Sequence, residues 1–207
     1  MKWGYFTNGE SIPSIDSFTD GAHILVVCSP TDYISKAVSL EDLGWEVRDC
    51  IKAVLTDKTL QIGLFRKSFK GTVASNVLTN GCGGINIDIS RIGSEIITTS
   101  VGAGFGGSFE GGKKERIESK NQGRFPANLI LGMGVNNLMD SQSGDTSSTR
   151  IGNPKFGNKG GKMFGGAEQK VVSVSKDYKD VGGSSRFFYN FKSESEMKSY
   201  LVSLIKL

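Results

Sequence analysis

The chain contains one histidine, three cysteines and four prolines in 207 residues, and each scarcity removes a class of function. His23 alone would have to serve any zinc site, Ser-His-Asp triad or Cys-His pair, and it opens an apolar run of strand character, so histidine chemistry is not expected. Cys28, Cys50 and Cys82 are odd in number, far apart and form no CxxC pair. Such a set reads as reduced thiols in a cytoplasm rather than as a disulfide framework. No apolar run approaches the ~20 residues needed to span a bilayer. Residues 1–10 hold one Lys and lack the apolar stretch of a signal peptide, so no membrane partner is expected.

What the chain has in excess is glycine, 28 residues, and it is unevenly spread. Residues 1–101 hold 10 Gly, residues 102–166 hold 16 and residues 167–207 hold 2. Charge divides along the same line. The first segment carries 9 Lys and Arg against 11 Asp and Glu, the middle 9 against 5 and the last 7 against 5. The net charge of +4 thus arises from a basic, Gly-rich middle and the tail, on a slightly acidic body.

The body reads as α/β. His23-Ile-Leu-Val-Val-Cys28 is a continuous apolar run of the kind buried parallel strands show. Ser29 or Thr31 caps the next helix, with Ile34, Ala37, Val38 and Leu43 at helical spacing and Gly44 after its end. Residues 45–55 form a second strand, and strand, helix, strand predicts a parallel sheet. Residues 60–65 add a third strand. Thr72 caps a short helix with Val73, Val77 and Leu78 on one side, closed by Asn80-Gly81. Residues 84–91 alternate apolar and polar and predict a half-buried strand, with Asn86, Asp88 and Arg91 on its wet side. Residues 95–101 are also strand-like. Within the Gly-rich tract, residues 123–131 form an ordered island and residues 135–139 a weak helix. Residues 184–191 read as an aromatic strand, and residues 194–207 as a helix with Met197, Leu201, Leu204 and Ile205 on one face. The expected organisation is a core over 1–101, a basic insertion over 102–183 with an island near 123–139, and a returning strand and helix over 184–207.

Two motifs bear on chemistry. Gly102-Ala-Gly104-Phe-Gly-Gly107 fits the GxGxxG string, but the next residues, Ser108-Phe-Glu-Gly-Gly-Lys-Lys114, have no helical character. A flexible loop is therefore the expectation, and not a cofactor cradle. The basic residues Lys113, Lys114, Arg116, Lys120, Arg124, Arg150, Lys155, Lys159 and Lys162 are interleaved with Phe105, Phe109, Phe125, Phe156 and Phe164. Lys and Arg on Gly-rich backbone can track phosphates while Phe stacks on bases. The same composition also suits a solvated loop. Both readings stay open at this level.

Several blocks, in order, resemble one family. Leu40-Glu-Asp-Leu-Gly-Trp-Glu-Val-Arg-Asp-Cys-Ile51 is similar to the helix-to-strand turn of phage and prophage DNA methyltransferases that act on exocyclic amino groups of adenine or cytosine. Gly71-Thr-Val-Ala-Ser-Asn-Val-Leu78 and Gly83-Gly-Ile-Asn-Ile-Asp-Ile-Ser-Arg-Ile92 resemble the next blocks. Gly123-Arg-Phe-Pro-Ala-Asn-Leu-Ile130 is similar to the family's "GRWPANVI" element and Ser185-Arg-Phe-Phe-Tyr189 to its "SRFFY" strand. Met197-Lys-Ser-Tyr-Leu-Val-Ser-Leu-Ile205 resembles the helix after its "HPTVKP" motif. The resemblance covers roughly residues 23–205.

It implies a Rossmann-like methyltransferase sheet with a long Gly-rich insertion, incomplete at its active site, in the cytoplasm of a bacterial host. The family's "DPPY" element binds and stacks on a flipped-out base, yet this chain has no Pro-Pro pair. Its nearest approach, Ser29-Pro30-Thr31-Asp32-Tyr33, stands at a different strand end. Phe191-Lys-Ser-Glu runs straight into the last helix without "HPTVKP", and the glycine-rich methyl-donor loop would fall after Leu207. The resemblance therefore implies a DNA-binding, catalytically incomplete relative that holds no S-adenosylmethionine alone. Arg124, Phe125, Lys113, Lys114, Arg150, Lys155, Lys159 and Lys162 are its candidate DNA contacts. It also allows a subunit of a split enzyme that binds S-adenosylmethionine with a second methyltransferase chain, and a protein-interaction module without DNA binding. In the split-enzyme case the apolar first strand and last helix are expected to need a partner surface.

Overall fold

The computed structural model describes residues 1–101, 117–147 and 181–206. Its centre is a six-stranded sheet built from β1 (Trp3–Thr7), β2 (His23–Cys28), β3 (Trp45–Val54), β4 (Thr59–Lys67), β7 (Leu129–Gly132) and β10 (Tyr189–Phe191). Their order across the sheet is β1-β2-β4-β3-β7-β10. Only β4 runs against its neighbours; the pairs β1–β2, β3–β7 and β7–β10 are parallel. The fold is mixed α/β with a mostly parallel sheet. The helices are α1 (Pro30–Asp42), α2 (Val73–Asn80), α3 (Val135–Ser143) and α4 (Glu194–Ile205). Beside the sheet lies an antiparallel hairpin of β5 (Ile92–Val101) and β6 (Ile117–Arg124), and β8 (Thr146–Ser147) pairs with β9 (Val181–Gly182).

β2 is buried along its whole length because both faces of the sheet are covered there. Successive side chains point to opposite faces, so Leu25 and Val27 join one core while Ile24 and Val26 join the other. The first core is closed by α4 through Met197, Tyr200, Leu201, Leu204 and Ile205 against Ile51, Ile62, Leu64 and Ile130. The second is closed by Leu40 of α1 together with Phe18, Ala22, Trp45 and Phe65. Phe18 and Trp45 meet edge to face with ring centres 5.0 Å apart. The apolar strand β2 and the last helix, α4, are thus covered within this chain. The partner surface expected for them in the split-enzyme case is, in this structure, supplied by the chain's own two cores.

Local signals place the helix ends. Ser29 accepts a hydrogen bond from the Asp32 amide at 3.2 Å, Pro30 occupies the first turn of α1, and Gly44 lies past its end with φ +90°. Thr72 caps α2 by accepting from the Ser75 amide at 3.1 Å, and Ser193 caps α4 by accepting from the Glu196 amide at 3.2 Å. The strand–helix–strand unit β2–α1–β3 has parallel strands, as its pattern predicts, but they are not neighbours. β3 turns back through residues 55–58 into β4, which slides between them.

Where α1 crosses the sheet, it rests on Gly63 of β4. A Cβ added at Gly63 would lie 2.5 Å from the Phe65 ring and 2.9 Å from the Tyr33 ring. Gly63→Ala is therefore expected to cost about 1–3 kcal/mol of stability by overpacking, read as a drop in the urea midpoint. An unchanged midpoint would show that the Phe65 and Tyr33 rings both move aside freely.

Two sequence expectations are overturned, and a third element, α2, forms as expected but buries its polar side. Residues 84–91 form no strand. The Asn86 amide donates to the Leu204 carbonyl at 2.8 Å, Asp88–Ser90 make a 3₁₀ turn, and the Ser90 hydroxyl donates to the Ile87 carbonyl at 2.6 Å. Short polar side chains and a helix end satisfy this backbone locally, so alternation alone recruits no partner strand. In α2 the apolar side faces out, with Leu78 88% exposed, while Asn76 is buried. The Asn76 amide donates to the carbonyls of Asp20 and Cys82 at 3.0 and 2.7 Å, groups that would otherwise lack those bonds. Finally, residues 184–191 are not one strand but a 3₁₀ turn (Ser184–Phe187) leading into the three residues of β10. Among the described residues no helix is long and apolar enough to cross a membrane.

Candidate nucleic-acid interface

The island at residues 123–131 is the entry to a core strand. β7 lies between β3 and β10 with Ile130 and Leu131 buried, and Asn128 ties its start to β3: the Asn128 amide donates to Asp49 Oδ1 at 2.5 Å. At the other end of the loop, Gly123 closes the hairpin with φ +73°. An added Cβ there would fall 2.6 Å from the Gly93 carbonyl oxygen, a position and a conformation that only glycine tolerates. Arg124 and Phe125 are consequently presented between two fixed points, with Pro126 stiffening the link.

Arginines and phenylalanines from three separate segments meet around this loop. The Arg91 guanidinium lies 4.7 Å from the centre of the Phe125 ring. Arg124 and Arg186 lie 4.6 and 4.2 Å from the centre of the Phe187 ring. All are within cation–π range. Phe125 is 68% exposed, a high value for a residue of its size, and Phe187 is also exposed.

Each partner is held in place. Arg91 pairs with Asp88 at 3.0 Å. Arg186 donates to the carbonyls of Gly182, Gly183 and Thr146 and to the Thr146 hydroxyl, so it staples β8 and β9 to the 3₁₀ turn. Asp140 of α3 accepts from the Ser185 hydroxyl at 2.6 Å and from the Ser185 amide at 2.8 Å, and these bonds hold its carboxyl below the ordinary range. Arg186 is thus chiefly structural. Phe125 is the member of the group with open area to offer.

Of the candidate DNA contacts, the structure brings together Arg124 and Phe125. Lys113, Lys114, Arg150, Lys155, Lys159 and Lys162 lie outside the described residues, as does the Gly102–Gly107 string. Sequence reading did not select Arg91, Arg186 or Phe187 as site residues. No local pattern links positions 91, 125 and 187; only the folding of β5, β7 and β10 around one corner does.

Other chemistry finds little support. His23 is 1% exposed, and burial pushes its pKa down to about 4, so it is a neutral core residue. Cys28 and Cys82 are buried, burial raises both thiols, and all three cysteines are free. No group of three or more metal-binding side chains occurs among the described residues. No family model, no curated protein and no solved structure matches this chain.

Proposed function

We propose that this protein is a DNA-methyltransferase-like, Rossmann-related protein that binds DNA and is catalytically incomplete. The observation that carries the proposal is the exposed Phe125 ring beside Arg91 and Arg124, set on the rigid entry to β7. A ring with an open face stacks on bases, and arginines beside it engage phosphates or stack in turn. The mostly parallel sheet with helices on both faces is compatible with the family that the sequence blocks resemble. The basic residues of the Gly-rich tract add charge of the right sign to such a surface.

The incomplete catalysis rests on features within the chain. There is no Pro-Pro pair, and β10 passes to α4 through only Lys192 and Ser193, so the "HPTVKP" element has no place there. In this reading S-adenosylmethionine is not held by the described residues; a second methyltransferase subunit would have to supply its cradle.

Filter binding over a salt series tests the proposal. Duplex or single-stranded DNA is expected to bind at low salt and to weaken steeply as salt rises. Phe125→Ala is expected to weaken single-strand binding by about 1–3 kcal/mol, the usual worth of a stacked ring, with little change in the salt slope. No affinity at low salt, or an affinity indifferent to salt, would sink it.

A further inference from the structure

The two edges of the central sheet are finished differently. β10 is three residues long, and the Asn190 side chain donates to the carbonyls of Ser185 and Phe188 at 3.1 and 3.0 Å. β1, at the other edge, keeps an unbroken parallel register with β2, from Trp3 opposite His23 to Thr7 opposite Val27. Edge strands are commonly blunted by Lys, Pro or a bulge. Trp3-Gly-Tyr-Phe-Thr7 has none of these. Among the described residues no strand pairs with its outer side. Only its C-terminal end is closed, where the Thr7 amide donates to Glu10 Oε2 at 2.5 Å.

α4 lies along one face of this edge, antiparallel to β1. Lys198 Nζ, near the start of α4, sits 4.9 Å from the centre of the Tyr5 ring, and Lys206 Nζ, just past its end, 5.8 Å from the Trp3 ring. Both lysines are exposed, and neither has a carboxylate within ion-pair distance among the described residues. The acidic groups whose charge reaches Tyr5 are already engaged: Glu194 pairs with Lys58 at 2.8 Å, and Glu10 accepts from Thr7. Trp3 and Tyr5 share this face, whereas Phe6 points to the other and is only partly buried.

We propose that the open edge of β1 takes up an extended segment of a partner protein as an added strand, and that this segment carries Asp or Glu at alternate positions. Main-chain hydrogen bonds along an open edge give affinity whatever the sequence, and contacts at every second side chain give selectivity. In an added strand, the side chains beside Trp3 and Tyr5 stand on the same face as those rings, next to Lys206 and Lys198. Carboxylates there meet an opposite charge at each ammonium; lysines there meet repulsion from both. The intervening side chains fall on the face of Phe6, where small apolar groups cover its ring. β2, β4 and β3 separate this edge from β7 and the Phe125 loop that leads into it, so the surface is distinct from the candidate DNA contacts.

Fluorescence anisotropy of the full chain with short labelled peptides is the test. A peptide alternating Glu with Val is expected to bind about tenfold more tightly at low salt than one alternating Lys with Val, since two opposite-charge contacts replace two like-charge ones. Two N-methylated forms of the Glu–Val peptide, each blocking one set of alternate amides, separate strand pairing from mere charge attraction. Only one set faces the edge, so one form is expected to lose binding and the other to keep it. Lys198→Glu combined with Lys206→Glu is expected to reverse the preference towards the Lys–Val peptide, with a nearly unchanged melting temperature showing that the fold persists. Equal binding of the two peptides, no binding of either in the millimolar range, full binding by both N-methylated forms, or a doubly substituted chain that keeps the parent's preference would each overturn it. Stoichiometric displacement of the peptide by DNA would assign these lysines to a nucleic acid and overturn it as well. Selective peptide binding by a chain that shows no affinity for DNA would remove the DNA reading and leave this one intact.

Discussion

Lowering the pH from 7 to about 4 is expected to cost the folded protein about 3 kcal/mol through His23 alone. His23 is buried at the start of β2, where Arg66 of β4 is its cross-strand neighbour and Glu46 of β3 is in turn paired with Arg66 at 2.6 Å. Burial lowers its pKa from 6.5 to about 4; Arg66 and Arg48 add to the effect and Glu46 opposes it. The folded state thus holds this imidazole neutral over a range where the unfolded chain takes up a proton. The stability is fully present above pH 6.5, falls as pH drops towards 4, and from this group is level below that. Urea midpoints across that range measure it. Carboxylates also titrate near the lower end, so the reading is the difference between the parent and His23→Leu, whose curve is expected to be flatter. Parallel curves would mean that the imidazole is charged or solvated in the native state.

Leu201→Ala is expected to destabilise the protein by about 3 kcal/mol, within the 2–5 kcal/mol range for emptied core sites. Leu201 is fully buried at the middle of α4 and belongs to the core that joins this helix to β2, β3, β4 and β7. Close-packed neighbours relax only partly around a deleted side chain, so lost transfer energy and cavity cost add. The neighbouring contacts are stiff: Tyr200 stacks on Tyr189 of β10 with ring centres 3.6 Å apart. The urea midpoint checks the magnitude, and its dependence on protein concentration checks the location of the contact. A cost below about 1 kcal/mol would show that the neighbours collapse around the deletion, and a midpoint of the parent that rises with concentration would show that another chain adds to the stability of α4.

The legible part of the fold was the part governed by local chemistry. β2, α1, β3, β4, α3 and α4 all coincide with runs whose period, caps and glycines act within a few residues. β1 and β6 were illegible for different reasons. Trp3–Thr7 is a short edge strand whose partner, β2, begins twenty residues away in sequence. Ile117–Arg124 is polar almost throughout and is a strand because β5 supplies its hydrogen-bond partners, with no apolar alternation to announce it. The opposite error occurred at residues 84–91, where alternation is present but Asn86, Asp88 and Ser90 turn the backbone back on itself.

The candidate interface divides similarly. Arg124 and Phe125 stand out in the sequence as a basic–aromatic pair in an ordered island, and the structure gives Phe125 the exposed face such a role needs. Arg91 and Phe187 are ordinary residues until tertiary packing brings them beside that pair. Asp49 carries no signal in one dimension, because a bulge and a contact with Asn128 decide where it stands.

By itself, then, the sequence determined the α/β class, the all-buried character of β2, the helix starts and the basic, glycine-rich middle, since these arise from composition, period and caps. Only the tertiary structure decided that β4 enters between β2 and β3, that Asn76 rather than Leu78 is buried, and that positions 49, 91, 125 and 187 share one corner. Those outcomes depend on which distant groups compete for the same hydrogen bonds and the same space, and that competition is settled only when the chain is packed.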